Sequence, residues 1–119
     1  MAPKEQRTFM GRVYASKAEA QYAHVLHLTL LAGEIRDVEE QPRTELGVPE
    51  NVYIPDFLVT NKDGSKHYVD VKGMETPIFR RNKKLWASYG PGKLLIVKRT
   101  SDYKFKRVET VEPRRKGGK

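Results

Sequence analysis

The order of sequence patterns predicts an α/β fold, in which a mixed central sheet is flanked by helices in the order αβββαβ. Three observations support this prediction. A capped helical pattern spans residues 16–32, two strand-type segments joined by a tight turn occupy residues 52–72, and a second capped helix precedes an apolar strand at residues 93–97. Because a helix between two strands lets them run parallel and covers the sheet, this alternation is typical of a mixed sheet with helices on its faces.

Chain length limits the number of domains. The chain has 119 residues, and a chain of this size forms one hydrophobic core. We therefore expect residues 1–119 to form a single domain. Residues 1–14 lack a sustained period and carry basic side chains, so we expect a flexible or extended basic arm there, and residues 112–119 are expected to form a flexible basic tail.

Composition narrows the class of protein. The chain has no cysteine, which excludes disulfides and thiolate metal sites and favours a cytoplasmic location. No apolar run approaches the length of a membrane span, so no membrane partner is expected. The formal net charge is +8, and such an excess of basic residues is typical of proteins that bind a polyanion. Nucleic acid is the expected partner.

The first helix is predicted to begin after Ser16 and to stop at Gly33. Ser16 and Glu19 form the S-x-x-E pattern of a capping box, in which the glutamate bonds back to the serine amide. Capping is therefore the interpretation of Glu19 that the pattern favours. Glu19 is also the only acid inside this helix, which leaves a role in a site open.

A first strand is predicted from Glu34 to Leu46, with a bend at Pro42, because proline cannot continue a central ladder. Glu40 and Gln41 in this strand are secondary candidates for a site. A solvated strand edge is the alternative interpretation of both.

The segment from Val52 to Gly73 carries two aspartates on strands that otherwise read as core. A two-residue turn at Asp63-Gly64 would send Asp56 and Asp70 to opposite sides of the sheet. A three-residue loop with Gly64 in the left-handed conformation instead places them directly opposite each other, with Cβ atoms roughly 5 Å apart. We expect the three-residue loop.

Two facing carboxylates repel, so a partly buried pair needs a proton, a basic partner or a metal ion. Lys72 lies on the same face as Asp70 and neutralises only one charge. Oxygen ligands of this kind suit Mg²⁺, which binds through one or two carboxylates plus water and phosphate oxygens. The alternative is an ordinary solvated hairpin with surface ion pairs.

The second helix is predicted from Pro77 to Tyr89, with Thr76 as its N-cap. Its outer surface carries a cluster of cations that favours DNA contact over a merely solvated face. These cations are Arg80, Arg81, Lys83 and Lys84. The basic tail, with Arg114, Arg115 and Lys116, is expected to add nonspecific affinity for DNA.

Pro55-Asp56, followed by a turn and Asp70-Val71-Lys72, resembles the P-D…(D/E)-x-K signature of the PD-(D/E)XK nuclease superfamily. The resemblance covers about residues 16–98, and the predicted αβββαβ order matches the restriction-endonuclease-like core of that superfamily. The segments SKAEAQY, EEQP, YIPDF and VDVKGMET look most similar to small phage-encoded nucleases, among them the Holliday junction resolvases. Asp70 stands at a position where either Asp or Glu occurs.

The resemblance implies a structure-selective endonuclease that hydrolyses phosphodiesters in four-way DNA junctions, in the host cytoplasm if the chain is phage-encoded. It implies one or two Mg²⁺ ions per site, with Mn²⁺ as a substitute, held by Asp56, Asp70, the Val71 carbonyl and Glu19. Lys72 would orient the attacking water. A resolvase cuts two strands symmetrically, so a homodimer is expected. The alternatives are a nicking or general endonuclease that cuts linear duplex, and a noncatalytic nucleic-acid-binding module.

Overall fold

A computed structural model describes residues 2–114 of the chain. A 3₁₀ helix spans Lys4–Arg7, and the two α-helices are α1 (Lys17–Leu31) and α2 (Pro77–Tyr89). The strands are β1 (Thr8–Phe9), β2 (Arg12–Val13), β3 (Ile35–Glu40), β4 (Thr44–Glu45), β5 (Val52–Tyr53), β6 (Phe57–Asn61), β7 (Lys66–Val71), β8 (Leu94–Ser101) and β9 (Lys104–Val111). Among these residues, no helix is long and apolar enough to span a bilayer.

The central sheet has five strands in the spatial order β3-β6-β7-β8-β9. Only β7 and β8 are parallel, and α2 connects them. The other neighbouring strands are antiparallel. The predicted α/β fold class, with a mixed sheet and the order αβββαβ, is confirmed, and β9 adds an edge strand.

The sheet buries a different hydrophobic cluster on each face. On one face, α1 packs Ala20, Ala23 and Leu26 against strand residues that include Phe57 and Val69. On the other, Trp86 of α2 is fully buried among residues of β8, β9 and the preceding loops, namely Leu46, Leu94, Ile96 and Val111. Because a hydrophobic cluster covers the centre of each face, the ends of the strands and the loops remain for function.

Gly90 ends α2 directly against the Trp86 ring. A Cβ added at Gly90 would lie 2.6 Å from Trp86 Nε1, and that ring is held in place because Nε1–H donates to the Gly92 carbonyl at 2.8 Å. We expect Gly90→Ala to lower the free energy of unfolding by about 1–3 kcal/mol, as overpacking of a rigid core does. Urea unfolding measures this loss. Gly73→Ala is the matched control, since a Cβ there meets no atom within 4 Å; equal losses in the two variants would contradict the clash.

The prediction of an arm at residues 1–14 is wrong for the part that follows Pro3. The 3₁₀ helix and the β1–β2 hairpin fold back on α1, where the Phe9 ring stacks on His24 with centroids 4.6 Å apart. Tyr14 is buried in the core, and its amide donates to the Arg7 carbonyl. Short strands with basic residues gave no periodic signal, although aromatic packing onto a helix stabilises them.

The first strand ends earlier than predicted. Chain direction changes at Gln41, whose φ of 53° is left-handed, and Thr44–Glu45 then pairs with Val52–Tyr53 in a separate small sheet. The predicted continuous strand before the hairpin is likewise divided, because residues 54–56 separate β5 from β6. Asp56 therefore lies immediately before β6 and not within a strand.

The chain after β9 runs beside α2. The Arg114 amide donates to the Ala87 carbonyl at 2.8 Å, so residues 112–114, predicted to belong to a flexible tail, are anchored at this point. The remaining tail predictions, including Arg115 and Lys116, fall outside the described residues.

Candidate active site

The β6–β7 hairpin has the register of the three-residue loop. Phe57 pairs with Val69 and Thr60 with Lys66, so the next position outward places Asp56 opposite Asp70. Gly64 has a φ of 93°, and the Asn61 amide donates to the Ser65 carbonyl at 2.7 Å. The prediction that the two aspartates face each other is confirmed, and the two-residue alternative is wrong.

Hydrogen bonds hold the two carboxylates in place. The Asp56 amide donates to Asp70 Oδ1 at 3.0 Å, and the Val71 amide donates to Asp56 Oδ2 at 2.8 Å. The Tyr53 hydroxyl donates to Asp70 Oδ2. Each aspartate therefore accepts a bond from the backbone beside its partner, which locks the orientation of both side chains before any ligand binds.

The backbone and the side chain of Glu19 interact with different parts of the structure. Its backbone amide donates to Ser16 Oγ at 3.0 Å, which caps α1. Its side chain is buried, and its carboxyl lies close enough to Asp56 and Asp70 for their charges to raise its pKa, whereas a capping box predicts a bond to the Ser16 amide. The structure thus brings Glu19 from α1 to the two aspartates of the hairpin.

Burial of this acidic cluster raises the pKa of each carboxyl. Burial raises the pKa of Glu19 to about 7, and the charges of Asp56 and Asp70 add to the rise. Burial also raises the pKa of Asp56 to about 6, opposed by its bonds to the Val71 amide and to Glu19, and the pKa of Asp70 to about 6, opposed by the Asp56 amide. Near neutral pH the cluster therefore gives up protons readily to a competing cation.

Lys72 lies in the same cleft as the aspartates. The cleft has a volume of about 260 Å³ and is lined by both aspartates, Val71, Lys72 and neighbouring residues of the β5–β6 and β7–α2 connections. Lys72 Nζ is 3.7 Å from Glu75 Oε1, so Lys72 forms an ion pair with a carboxylate in the β7–α2 connection. The elements of the P-D…D-x-K pattern thus meet at one opening.

The oxygen donors of the cleft fit magnesium. Within residues 2–114, no group of three or more Asp, Glu, His or Cys side chains converges as a metal centre. Mg²⁺ needs only one or two carboxylates when water and phosphate oxygens complete its shell. Asp56 and Asp70 meet this requirement with oxygen ligands alone, and Glu19 lies near enough to both for their charges to raise its pKa.

The secondary candidates Glu40 and Gln41 do not enter the cleft. Glu40 accepts a hydrogen bond from the Tyr14 hydroxyl at 2.6 Å and pairs with Arg12 at 2.7 Å. Its charge contributes to the raised pKa of Glu19. Gln41 is exposed, and only its backbone amide contacts Asp56, at the carbonyl oxygen.

The basic surface of α2 is smaller than its sequence indicates. Arg80, Arg81 and Lys84 are exposed, as predicted. Lys83 instead lies between two carboxylates, 3.4 Å from Glu75 and 2.9 Å from Glu109. Of the four cations predicted to form this surface, Lys83 is therefore neutralised by acids from outside α2.

Sequence reasoning missed two side chains that shape the cleft. Tyr53 belongs to a different small sheet from Asp70, so no periodic pattern linked them. Glu75 bridges Lys72 and Lys83 across the β7–α2 connection. Its position three residues after Lys72 was the available signal, but such spacing carries weight only inside a helix.

Mutation tests whether the side chain of Glu19 serves the cleft or the helix. We expect Glu19→Gln to weaken Mg²⁺ binding at least about ten-fold while leaving stability unchanged or higher, because the amide that donates to Ser16 Oγ remains and a buried charge is removed. Ser16→Ala is the matched change; it should cost about 1 kcal/mol of unfolding free energy and leave Mg²⁺ binding intact. Urea unfolding and Mg²⁺ titration measure both effects. A destabilised Glu19→Gln that binds Mg²⁺ as wild type does would show that this side chain supports the fold and not the cleft.

The fold and this cleft define a mixed α/β protein with a carboxylate pair and a lysine at the ends of adjacent strands. Residues 4–106 match the family described as "Protein of unknown function (DUF1064)", and the chain belongs to this family. The matched region contains both helices and all the side chains of the cleft. A comparison with curated proteins found no match.

Proposed function

We propose that this protein is a Mg²⁺-dependent DNA endonuclease of the PD-(D/E)XK type that cuts four-way junctions. The observation that carries the proposal is the β6–β7 register, which places Asp56 opposite Asp70 with Lys72 in the same cleft. Two aspartates that face each other on neighbouring strands are common on a solvated surface. Here, however, Asp70 is only 7% exposed and its pKa is raised to about 6. Buried carboxyls with raised pKa values in a cleft are typical of functional sites.

Each residue of the cleft has a part in this proposal. Asp56, Asp70 and the Val71 carbonyl would hold Mg²⁺, and Glu19 would join them after losing its proton. When bound, Mg²⁺ would act as a Lewis acid that polarises the scissile phosphate. Tyr53 fixes the carboxylate of Asp70 through its hydroxyl. Lys72 orients the attacking water and offsets the charge that develops on the phosphate oxygens.

Charge supports DNA as the substrate. The whole chain carries a formal net charge of +8, and α2, which follows Lys72 directly, presents Arg80, Arg81 and Lys84 to solvent. Cations beside a phosphate-cleaving site neutralise the backbone on either side of the scissile bond. Preference for a four-way junction and action as a homodimer rest on the similarity of the P-D…D-x-K segments to small junction resolvases.

Cleavage of matched substrates tests the proposal. A labelled four-way junction and a linear duplex built from one of its arms are incubated with nanomolar protein in Mg²⁺, Mn²⁺ or Ca²⁺. We expect symmetric cuts in the junction with Mg²⁺ or Mn²⁺, little cutting of the duplex, and none with Ca²⁺. Equal cutting of both substrates would indicate a general or nicking endonuclease. Binding without cutting under every metal would indicate a noncatalytic DNA-binding module.

A further inference from the structure

A row of three lysines crosses the sheet beside the cleft. In the parallel pairing of β7 with β8, Asp70 aligns with Ile96 and Val71 with Val97, and the Lys72 amide donates to the Val97 carbonyl at 2.6 Å. Continuing that register aligns Lys72 with Lys98. Lys98 is paired in turn with Lys106 of β9. The three side chains therefore occupy one level of three adjacent strands.

The row lies on the face of the sheet that carries Asp70. Side chains two residues apart on a strand share a face, so Lys98 points to the same side as Ile96, which packs under α2. Asp70 and Lys72 share this side with Tyr68, which also packs against the Trp86 ring. Lys98 and Lys106 are exposed. The row thus begins at the cleft and extends away from it over a part of the sheet that is open to solvent.

The charges of Lys98 and Lys106 are not compensated. Like charges directly opposite each other on neighbouring strands are destabilising. Within the described part of the chain, neither lysine forms an ion pair. The nearest acid on this face of β9, Glu109, already pairs with Lys83. The protein therefore tolerates a repulsive pair that a single carboxylate would have relieved.

Protection of a sheet edge explains only one of the two lysines. Edge strands often carry lysine because an exposed charge prevents pairing with another chain. That reason applies to Lys106 on β9, which is one of the two edge strands of the central sheet. It does not apply to Lys98, because β8 lies between β7 and β9. A ligand of opposite charge accounts for both.

We propose that Lys98 and Lys106 bind consecutive phosphates of a DNA strand that leaves the cleft past Lys72. This inference rests on the proposed function for its choice of DNA. Three strands at a spacing of about 4.8 Å make a row about 10 Å long, which matches about three steps along one DNA strand at an axial rise of about 3.4 Å per nucleotide. The row contacts phosphate alone, so it contributes affinity and position and no sequence preference.

Salt-dependent binding tests this phosphate track, which is formed by Lys98 and Lys106. Anisotropy of a labelled four-way DNA junction is measured in Ca²⁺ between 50 and 200 mM NaCl, roughly the range over which phosphate contacts dominate. We expect the double variant K98Q/K106Q to lower the magnitude of the slope of log K against log[salt] by about 1.8, and to weaken binding roughly ten-fold or more near 0.1 M salt. The matched control is K62Q/K66Q, which removes two exposed lysines at the opposite end of β7 and should leave the slope within about 0.5 of wild type.

The outcomes separate this inference from the nuclease proposal. If wild type cuts DNA but K98Q/K106Q keeps the wild-type slope, or K62Q/K66Q loses as much, the track is overturned while the nuclease stands. If wild type binds without cutting and only K98Q/K106Q changes the slope, the track is supported and the nuclease proposal fails. Urea unfolding of both variants confirms that each is folded. Absence of any DNA binding by wild type overturns both proposals.

Discussion

Replacing Asp70 by asparagine is expected to reduce Mg²⁺-dependent DNA cleavage at least about 100-fold and to make the metal-free protein more stable at pH 8. The first effect follows from the proposed function, in which the variant loses a charged metal ligand, a loss at least as severe as that of groups that merely support ligands. Geometry is kept, since the asparagine carbonyl can accept from the Asp56 amide, and its NH₂ group can donate to the Tyr53 hydroxyl.

Asp70→Asn is expected to gain stability although it loses activity, because the buried charged carboxylate of Asp70 destabilises the folded wild-type protein. Burial raises the pKa of Asp70 from 3.8 to about 6, so the folded state disfavours the charged form. A shift of that size corresponds to about 3 kcal/mol at a pH above both values, as an upper bound on what the neutral variant regains. Urea unfolding at pH 8 without metal measures it.

Asp37→Asn is the matched control for both measurements. Asp37 is an exposed carboxylate of β3, outside the cleft, so this variant should cleave DNA at the wild-type rate and unfold at nearly the wild-type urea concentration. Full activity of Asp70→Asn would remove Asp70 from the metal site. Loss of activity together with loss of stability would show that Asp70 mainly holds the β5–β6 connection in place.

The second prediction concerns pH and metal together. We expect the metal-free protein to lose stability as pH rises from 5 to 8, and Mg²⁺ to restore it at pH 8. The pKa of Asp56 and of Asp70 is raised to about 6 and that of Glu19 to about 7. The folded state therefore binds more protons than the unfolded chain between about pH 4 and 7, so unfolding free energy falls across that window and is level above it.

A bound cation changes this dependence because it replaces the protons. Saturation at 100 times the dissociation constant of Mg²⁺ would add about 2.7 kcal/mol. The control is the triple variant E19Q/D56N/D70N, which should lack both the loss and the response to Mg²⁺. Burial lowers the pKa of His67, which makes stability rise with pH, but both proteins contain His67 and the comparison cancels it. Urea midpoints at pH 5 and 8 provide the measurement; equal pH dependence in the two proteins would contradict the raised pKa values.

Local chemistry allowed much of this fold to be predicted from the sequence. Ser16 and Thr76 accept hydrogen bonds from the first turns of α1 and α2, so both helices begin where their N-cap residues predict. Pro77 and Tyr89 bound α2 as predicted. Gly64 fixes the turn that pairs Asp56 with Asp70, because a residue with positive φ is needed at that position. Each of these interactions joins residues that are close in sequence, so the sequence alone is sufficient to predict them.

Contacts between distant segments were decided only in three dimensions. Phe9 packs on His24, so residues predicted to form an arm fold as a hairpin. Tyr53 hydrogen-bonds to Asp70 from another sheet. Lys83 forms an ion pair with Glu109 of the edge strand β9. The carboxyl of Glu19 lies near the charges of Asp56 and Asp70, which come from the distant hairpin. The sequence by itself determined the caps, the hairpin register and the facing aspartates, since each depends on neighbouring residues. Tertiary packing decided which charges are buried, paired or exposed, because burial and pairing depend on segments that meet only when the chain is folded.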